Sequence, residues 1–211
     1  MKILATNTGK ATTLNWQGKS ITTGIFKYPK AEGIYLHNDY VEDDIVSDLK
    51  VHGGKDKACY LFSANEYSFW KDKYPNLTWN WGMFGENLTI ENLEEEYLKI
   101  GNTYKIGEAI VQVSQPREPC FKLGLRFGTQ NIIQEFIQRG HSGTYVRILQ
   151  PGSVKKGDKL VLIEESPNIL TVKQLFDFLY ASTKDLKTLE LALQNEALPQ
   201  AKKEKLKRFL K

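Results

Sequence analysis

The chain has 211 residues, 41% of them hydrophobic and 26% charged, with a formal net charge of +4. That balance excludes a disordered charged chain and leaves a soluble globular protein with a real core. The charge is too mild, and too concentrated in the last ten residues, to indicate a nucleic-acid partner.

Met1-Lys2-Ile3-Leu4-Ala5-Thr6-Asn7 lacks the apolar run of a secretory leader, and no stretch approaches a membrane span. No membrane association and a cytoplasmic location are the expectations. Cys59 and Cys120 form neither a disulfide framework nor a paired metal motif, so both thiols are expected to be free.

Along the chain, Lys2 to Thr6 predicts a strand. Trp16-Gln17-Gly18-Lys19 predicts a tight turn, followed by extended Ser20 to Phe26. Further strands are expected at Gly33 to His37, Tyr97 to Ile106, Ala109 to Ser114, Tyr145 to Leu149 and Lys159 to Glu164. Glycine turns separate them, the pattern of a β-barrel or sandwich. Two helices are expected to pack on it. One, Ala64 to Tyr74, places Tyr67, Trp70 and Tyr74 in phase; the other, Asn131 to Arg139, places Ile132, Ile133, Phe136 and Ile137 on one side.

After Ser166-Pro167 the composition changes, which suggests domains at 1–166 and 167–211. Thr171 can cap a helix carrying Val172, Leu175, Phe176 and Leu179. A second helix is expected over Lys184 to Gln194, and Pro199 opens a third over Gln200 to Leu210. Each is too short to be stable alone, so the three must pack as a unit. The basic end reads first as a solvated helix face and second as a binder of something acidic.

The chemistry concentrates in three segments. Cys120 lies in Gln115-Pro116-Arg117-Glu118-Pro119-Cys120, where two prolines restrict the backbone and Arg117 is close in sequence. Positive charge near a cysteine favours its reactive thiolate, although most free cysteines are small buried hydrophobes. The segment His52-Gly53-Gly54-Lys55-Asp56-Lys57 offers close-approach glycines and cationic groups suited to a phosphate, or a simple turn. Asp43, Asp44 and Asp48 precede it and either orient the lysines or stay solvated. In Gly85-Glu86-Asn87-Leu88-Thr89, Asn87 can hold a heterocycle or its own turn. Trp81 and Phe84 can stack on a base, with core packing the plainer reading.

Taken in order with Thr23-Gly24-Ile25-Phe26-Lys27-Tyr28-Pro29 and Gly143-Thr144-Tyr145-Val146-Arg147, these segments resemble the MOSC domain proteins, and most closely their YiiM-like branch. The resemblance implies a mainly β fold with α: a MOSC β-barrel followed by a small C-terminal three-helix domain. It implies binding of molybdenum cofactor, a molybdopterin carrying Mo. Carried over motif by motif, Cys120 becomes the metal ligand and catalytic residue. Lys27, His52, Lys57, Asn87, Arg117 and Arg147 become cofactor-binding residues, with Lys27, Lys57 and Arg147 as partners of the pterin phosphate. A soft thiolate suits such a metal and must be deprotonated to ligate it.

The reaction implied is reduction of N-hydroxylated compounds, such as hydroxylamino purines, to amines. No nicotinamide or flavin fingerprint is present, so a separate redox protein is the expected electron donor. A homodimer is implied by resemblance alone. Two alternatives stand beside this reading: a non-catalytic carrier of the cofactor, and a cysteine hydrolase pairing Cys120 with His52 or His141. Cys59 stands where the family usually has an aliphatic residue, and reads as a core substitution. The segment Val41 to Asp48 lacks the Gly-Asp step expected before the His-Gly-Gly motif.

Overall fold

The structure, a computed structural model, describes residues 1–46 and 53–210. Its strands are β1 (Lys2–Gly9), β2 (Thr12–Trp16), β3 (Lys19–Thr23), β4 (Lys27–Pro29), β5 (Ile34–Leu36), β6 (Cys59–Ser63), β7 (Leu88–Glu91), β8 (Thr103–Ile106), β9 (Ala109–Pro116), β10 (Thr144–Gln150), β11 (Gly152–Val154) and β12 (Leu160–Glu164). Its α-helices are α1 (Glu66–Lys73), α2 (Phe121–Phe127), α3 (Asn131–Arg139), α4 (Val172–Tyr180), α5 (Leu186–Gln194) and α6 (Gln200–Leu206). Lys55–Lys57 and Lys207–Phe209 form 3-10 turns.

Eight strands form one sheet in the order β12-β8-β9-β10-β6-β7-β1-β4. All of its ladders are antiparallel except β6 against β7. β2 and β3 make a separate hairpin whose turn residues, Gln17 (φ 49°) and Gly18 (φ 75°), are both left-handed, as a two-residue hairpin turn requires.

The expected closed barrel does not form. β12 and β4 are the edges of an open sheet, and only an isolated bridge between Lys2 and Lys159 joins the β12 side to β1. After buried Leu160, the side chains of Val161, Leu162 and Ile163 are about half exposed. Closing a sheet needs a ladder of successive paired residues along both strands, and a single bridge does not supply one.

The expected three-helix tail is also corrected. The third helix stops at Leu206, and Lys207–Phe209 continues as a separate 3-10 turn, making four helical segments. Unsatisfied carbonyls at a helix end commonly tighten into this form. The strand expected over Tyr97 to Ile106 begins only at Thr103. Ahead of it, Ile100 N–H donates to Leu170 O at 2.9 Å and Val172 N–H to Leu98 O at 2.9 Å. The segment is thus consumed by pairing with the entry to the tail. There Thr171 and Gln174 form a reciprocal capping box that starts α4.

Two apolar clusters hold the molecule together. One joins sheet residues such as Ile106, Val111 and Val146 to tail residues Leu175, Leu189 and Leu206. Each such fully buried side chain contributes about 1.5–3 kcal/mol relative to exposure, which is how helices too short to persist alone are held. The other is aromatic: Phe62, Phe84 and Phe136 pack around fully buried Trp70, with ring centroids 4.3–6.1 Å apart. It fixes α1 and α3 against the sheet and so sets the back wall of the site.

Candidate functional site

Cys120 is the N-cap residue of α2, a helix the sequence reading missed behind the two prolines. Its backbone is extended (φ −132°, ψ 169°), and its side chain makes no capping bond, which leaves the sulfur on the surface of a cavity. The signal for α2 lay in Leu123 and Phe127, buried one turn apart, and in Gly128, whose left-handed conformation (φ 71°) ends the helix.

The thiol is partly exposed and lines two cavities. The inner one encloses about 630 Å³ of empty space out to its mouth. It is bounded by the 23–27 segment, by Asp44, by the Phe84-Gly85-Asn87 run, and by Arg117, Lys122 and Tyr145. The outer one, about 1370 Å³, lies between the 53–57 turn, the 115–120 run and α6. Lys57, Cys120 and Tyr145 belong to both walls.

The inner wall is braced by one buried carboxylate. Asp44 pairs with buried Lys27, accepts 2.9 Å bonds from Gly9 N–H and Asn87 Nδ2, and is itself almost inaccessible. Asn87 also accepts from Tyr60 N–H at 3.1 Å. Asp44 thus orients Lys27, and Asp43 pairs with Lys30, rather than with the lysines of the 53–57 turn that the sequence suggested; Asp48 lies outside the described residues. Gly24 makes this geometry accessible, because a Cβ there would sit 1.7 Å from Ile45 O. Glu86 braces the neighbouring turn, accepting from Tyr67 Oη, Gly82 N–H, Phe84 N–H and Thr89 Oγ1. Burial pushes its carboxyl up despite these donors.

Arg117 is 4% exposed, with its guanidinium over the Tyr60 and Phe136 rings at 5.7 and 5.1 Å. Its Nη1 is buried without a hydrogen-bond partner, and no carboxylate pairs with it among the described residues. An unpaired buried cation on a cavity wall is costly unless an anion completes it. Tyr145 is half-buried beside it, and desolvation pushes its phenol up to about 12. Lys57 stands 5.8 Å from the Tyr145 ring.

Of the residues expected to bind a cofactor, Lys27, Lys57, Asn87 and Arg117 therefore gather on the inner wall with Cys120. His52 lies outside the described residues. Arg147 is elsewhere: it donates to Asp56 Oδ1 at 2.9 and 2.5 Å, to Gln112 Oε1 at 2.7 Å and to Ala197 O at 2.9 Å, tying β10 to the tail. Asp44, Lys122 and Tyr145 join the wall without having been singled out for it by the sequence. Trp81 packs edge-on against Tyr67 in the aromatic cluster, at 4.5 Å.

His141, the other candidate partner for a nucleophilic Cys120, bonds Glu95 at 2.8 Å and lines neither cavity. Cys59 is fully buried in β6, and burial pushes its thiol far up, as suits a core residue rather than a ligand.

An open mixed sheet with a partly exposed thiol over a cationic wall defines a class, and the comparisons supply its family. The chain belongs to the MOSC domain family, whose model matches residues 48–161, and is related to its YiiM-like branch. It is 38% identical over 199 residues to "Uncharacterized protein YflK" of Bacillus subtilis (strain 168), covering 94% of this chain and 90% of that one. It is 32% identical over 150 residues to a protein of Gibberella moniliformis named "Reductase", covering 70% of this chain but only 27% of that protein. The solved structure of YiiM from Geobacillus stearothermophilus superposes with a TM-score of 0.83 at 28% identity, over 100% of this chain and 99% of that one. Among the described residues no helix is long and apolar enough to cross a membrane.

Proposed function

We propose that this protein is an oxidoreductase that uses molybdenum cofactor to reduce N-hydroxylated compounds to amines. The observation that carries the reading is the partly exposed Cys120 thiol on a wall that also holds buried, unpaired Arg117 Nη1. The donor set fits the group: a soft sulfur for a metal held by dithiolene, and cations for its anionic parts. Family membership supports a redox role in general, and the name "Reductase" on a relative agrees with it.

When bound, the cofactor supplies two-electron redox chemistry at a metal that Cys120 would hold. The net change is R–NHOH + 2H⁺ + 2e⁻ → R–NH₂ + H₂O: the N–O bond breaks, nitrogen is reduced, and oxygen leaves as water. The electrons come from a separate redox protein. Arg117 lines the same cavity, and its packing on two rings limits reorganisation when an anion arrives. The Asp44 brace holds Lys27 and Asn87 in place.

The test is protein made in a molybdenum-replete host, with metal measured per protomer and turnover of a hydroxylamino purine followed with a chemical reductant. Cys120→Ser is expected to lose both metal and turnover. Full turnover without bound molybdenum overturns the reading, and bound molybdenum without any turnover leaves the protein a carrier of the cofactor.

A further inference from the structure

The outer cavity opens on the same sulfur as the inner one. Its wall carries Lys55, Lys57, Lys202 and Lys205 against two acids, Asp56 and Glu118. Both acids are already engaged: Asp56 by Arg147, and Glu118 by buried Lys202 of α6. Lys55 and Lys205 are exposed, and no carboxylate among the described residues pairs with either. The cavity wall therefore carries Lys55 and Lys205 together with Tyr145 and Cys120. Its two cationic sides come from segments about 150 positions apart, brought together because α6 docks through the Lys202–Glu118 pair on the cysteine run.

We propose that the outer cavity is a phosphate subsite for the substrate, so that N-hydroxylated nucleoside monophosphates are preferred over free bases. This rests on the function proposed above and names its substrate class. A base beside Cys120 places its 5′-phosphate toward Lys55 and Lys205, which act on a phosphate as mobile point charges. The volume within it that a ligand can enter, about 590 Å³, falls within the range of small-ligand sites and accommodates a sugar and a phosphate. The cofactor carries a phosphate monoester too, so the experiment must separate the two sources.

Deoxyadenosine and deoxyadenosine 5′-monophosphate are titrated calorimetrically into the full chain, with and without bound cofactor, at low salt. The monophosphate is expected to bind about tenfold more tightly than the nucleoside in both forms, the equivalent of about 1.4 kcal/mol. Lys205→Glu and Lys55→Glu, both at exposed positions that tolerate substitution, are each expected to remove most of that advantage. Lys187→Glu makes the same charge change at an exposed position of α5 that is not on the cavity wall, and is expected to keep it.

Equal affinities for the two ligands overturn the proposal. So does an equal loss in Lys187→Glu, which would report net charge alone. An advantage seen only without cofactor also overturns it, because the lysines would then serve the cofactor's own phosphate. Metal content in Cys120→Ser tests the underlying function independently of any of these titrations.

Discussion

Arg147 lies on β10 and Arg117 directly after its partner strand β9, and the molecule uses them in opposite ways. Arg117 follows β9 at the cavity end, where Thr144 opposes Pro116. Arg147 sits on β10 directly opposite Gln112. The first keeps a buried nitrogen without a partner, while the second spends its guanidinium on Asp56, Gln112 and Ala197. One region is satisfied by the fold itself and is a strut. The other leaves one nitrogen unpaired beside the inner cavity. Among the described residues, Asn7, Trp70 and Arg126 also keep a buried polar atom without a partner, but Arg117 alone of the four lines that cavity.

The largest effect is expected at the brace of the incomplete wall. Asp44→Ala leaves Lys27 buried without its counter-charge, which costs about 3–5 kcal/mol, and the melting temperature is expected to fall by roughly 10 °C. The paired replacement Lys27→Met with Asp44→Leu should recover most of that loss while still failing to retain cofactor. If it retained cofactor, the Lys27–Asp44 pair would be scaffold only.

Next comes the strut. Arg147→Met strips Asp56 and the Ala197 carbonyl of their donor and is expected to cost about 2 kcal/mol of stability by denaturant titration. Metal per folded protomer should stay near wild type. Loss of metal at unchanged stability would reverse the contrast between the two arginines.

Arg117→Met is expected to leave stability unchanged or slightly improved, since it removes an unsatisfied buried charge. Cofactor retention should drop about tenfold, the worth of one charge-assisted hydrogen bond. A large fall in melting temperature would instead make Arg117 a second strut.

The smallest effect concerns His141, raised above its ordinary 6.5 by its bond to Glu95. A folded-state value above the unfolded one means stability that is fully present below pH 6.5 and lost as pH rises through the raised value. Because the ring is partly exposed, the loss should stay under about 1 kcal/mol. Glu95→Gln should flatten this slope in a melting-temperature series across pH, without moving the metal content that tests the Cys120 wall. A change in metal content would link the two regions.

Much of the outline was readable in one dimension. The α3 limits, the Thr171 cap and the strand starts at Lys2 and Ala109 follow from periodicity and capping chemistry, which are local. Cys120, Lys27, Asn87 and Arg117 were reachable through motif order. Sheet closure was not, because it depends on pairing between strands far apart in sequence, which stops at the Lys2–Lys159 bridge. Nor was the start of β8, because Leu170 competes for the backbone of Ile100 from 70 positions away.

By itself, then, the sequence determined the family and several of its elements, since local patterns and motif order are written along the chain. Only the tertiary structure decided what each arginine touches. Contacts come from distant segments: Arg147 receives Asp56 and the Ala197 carbonyl, whereas Arg117 packs on two rings and keeps Nη1 unpaired.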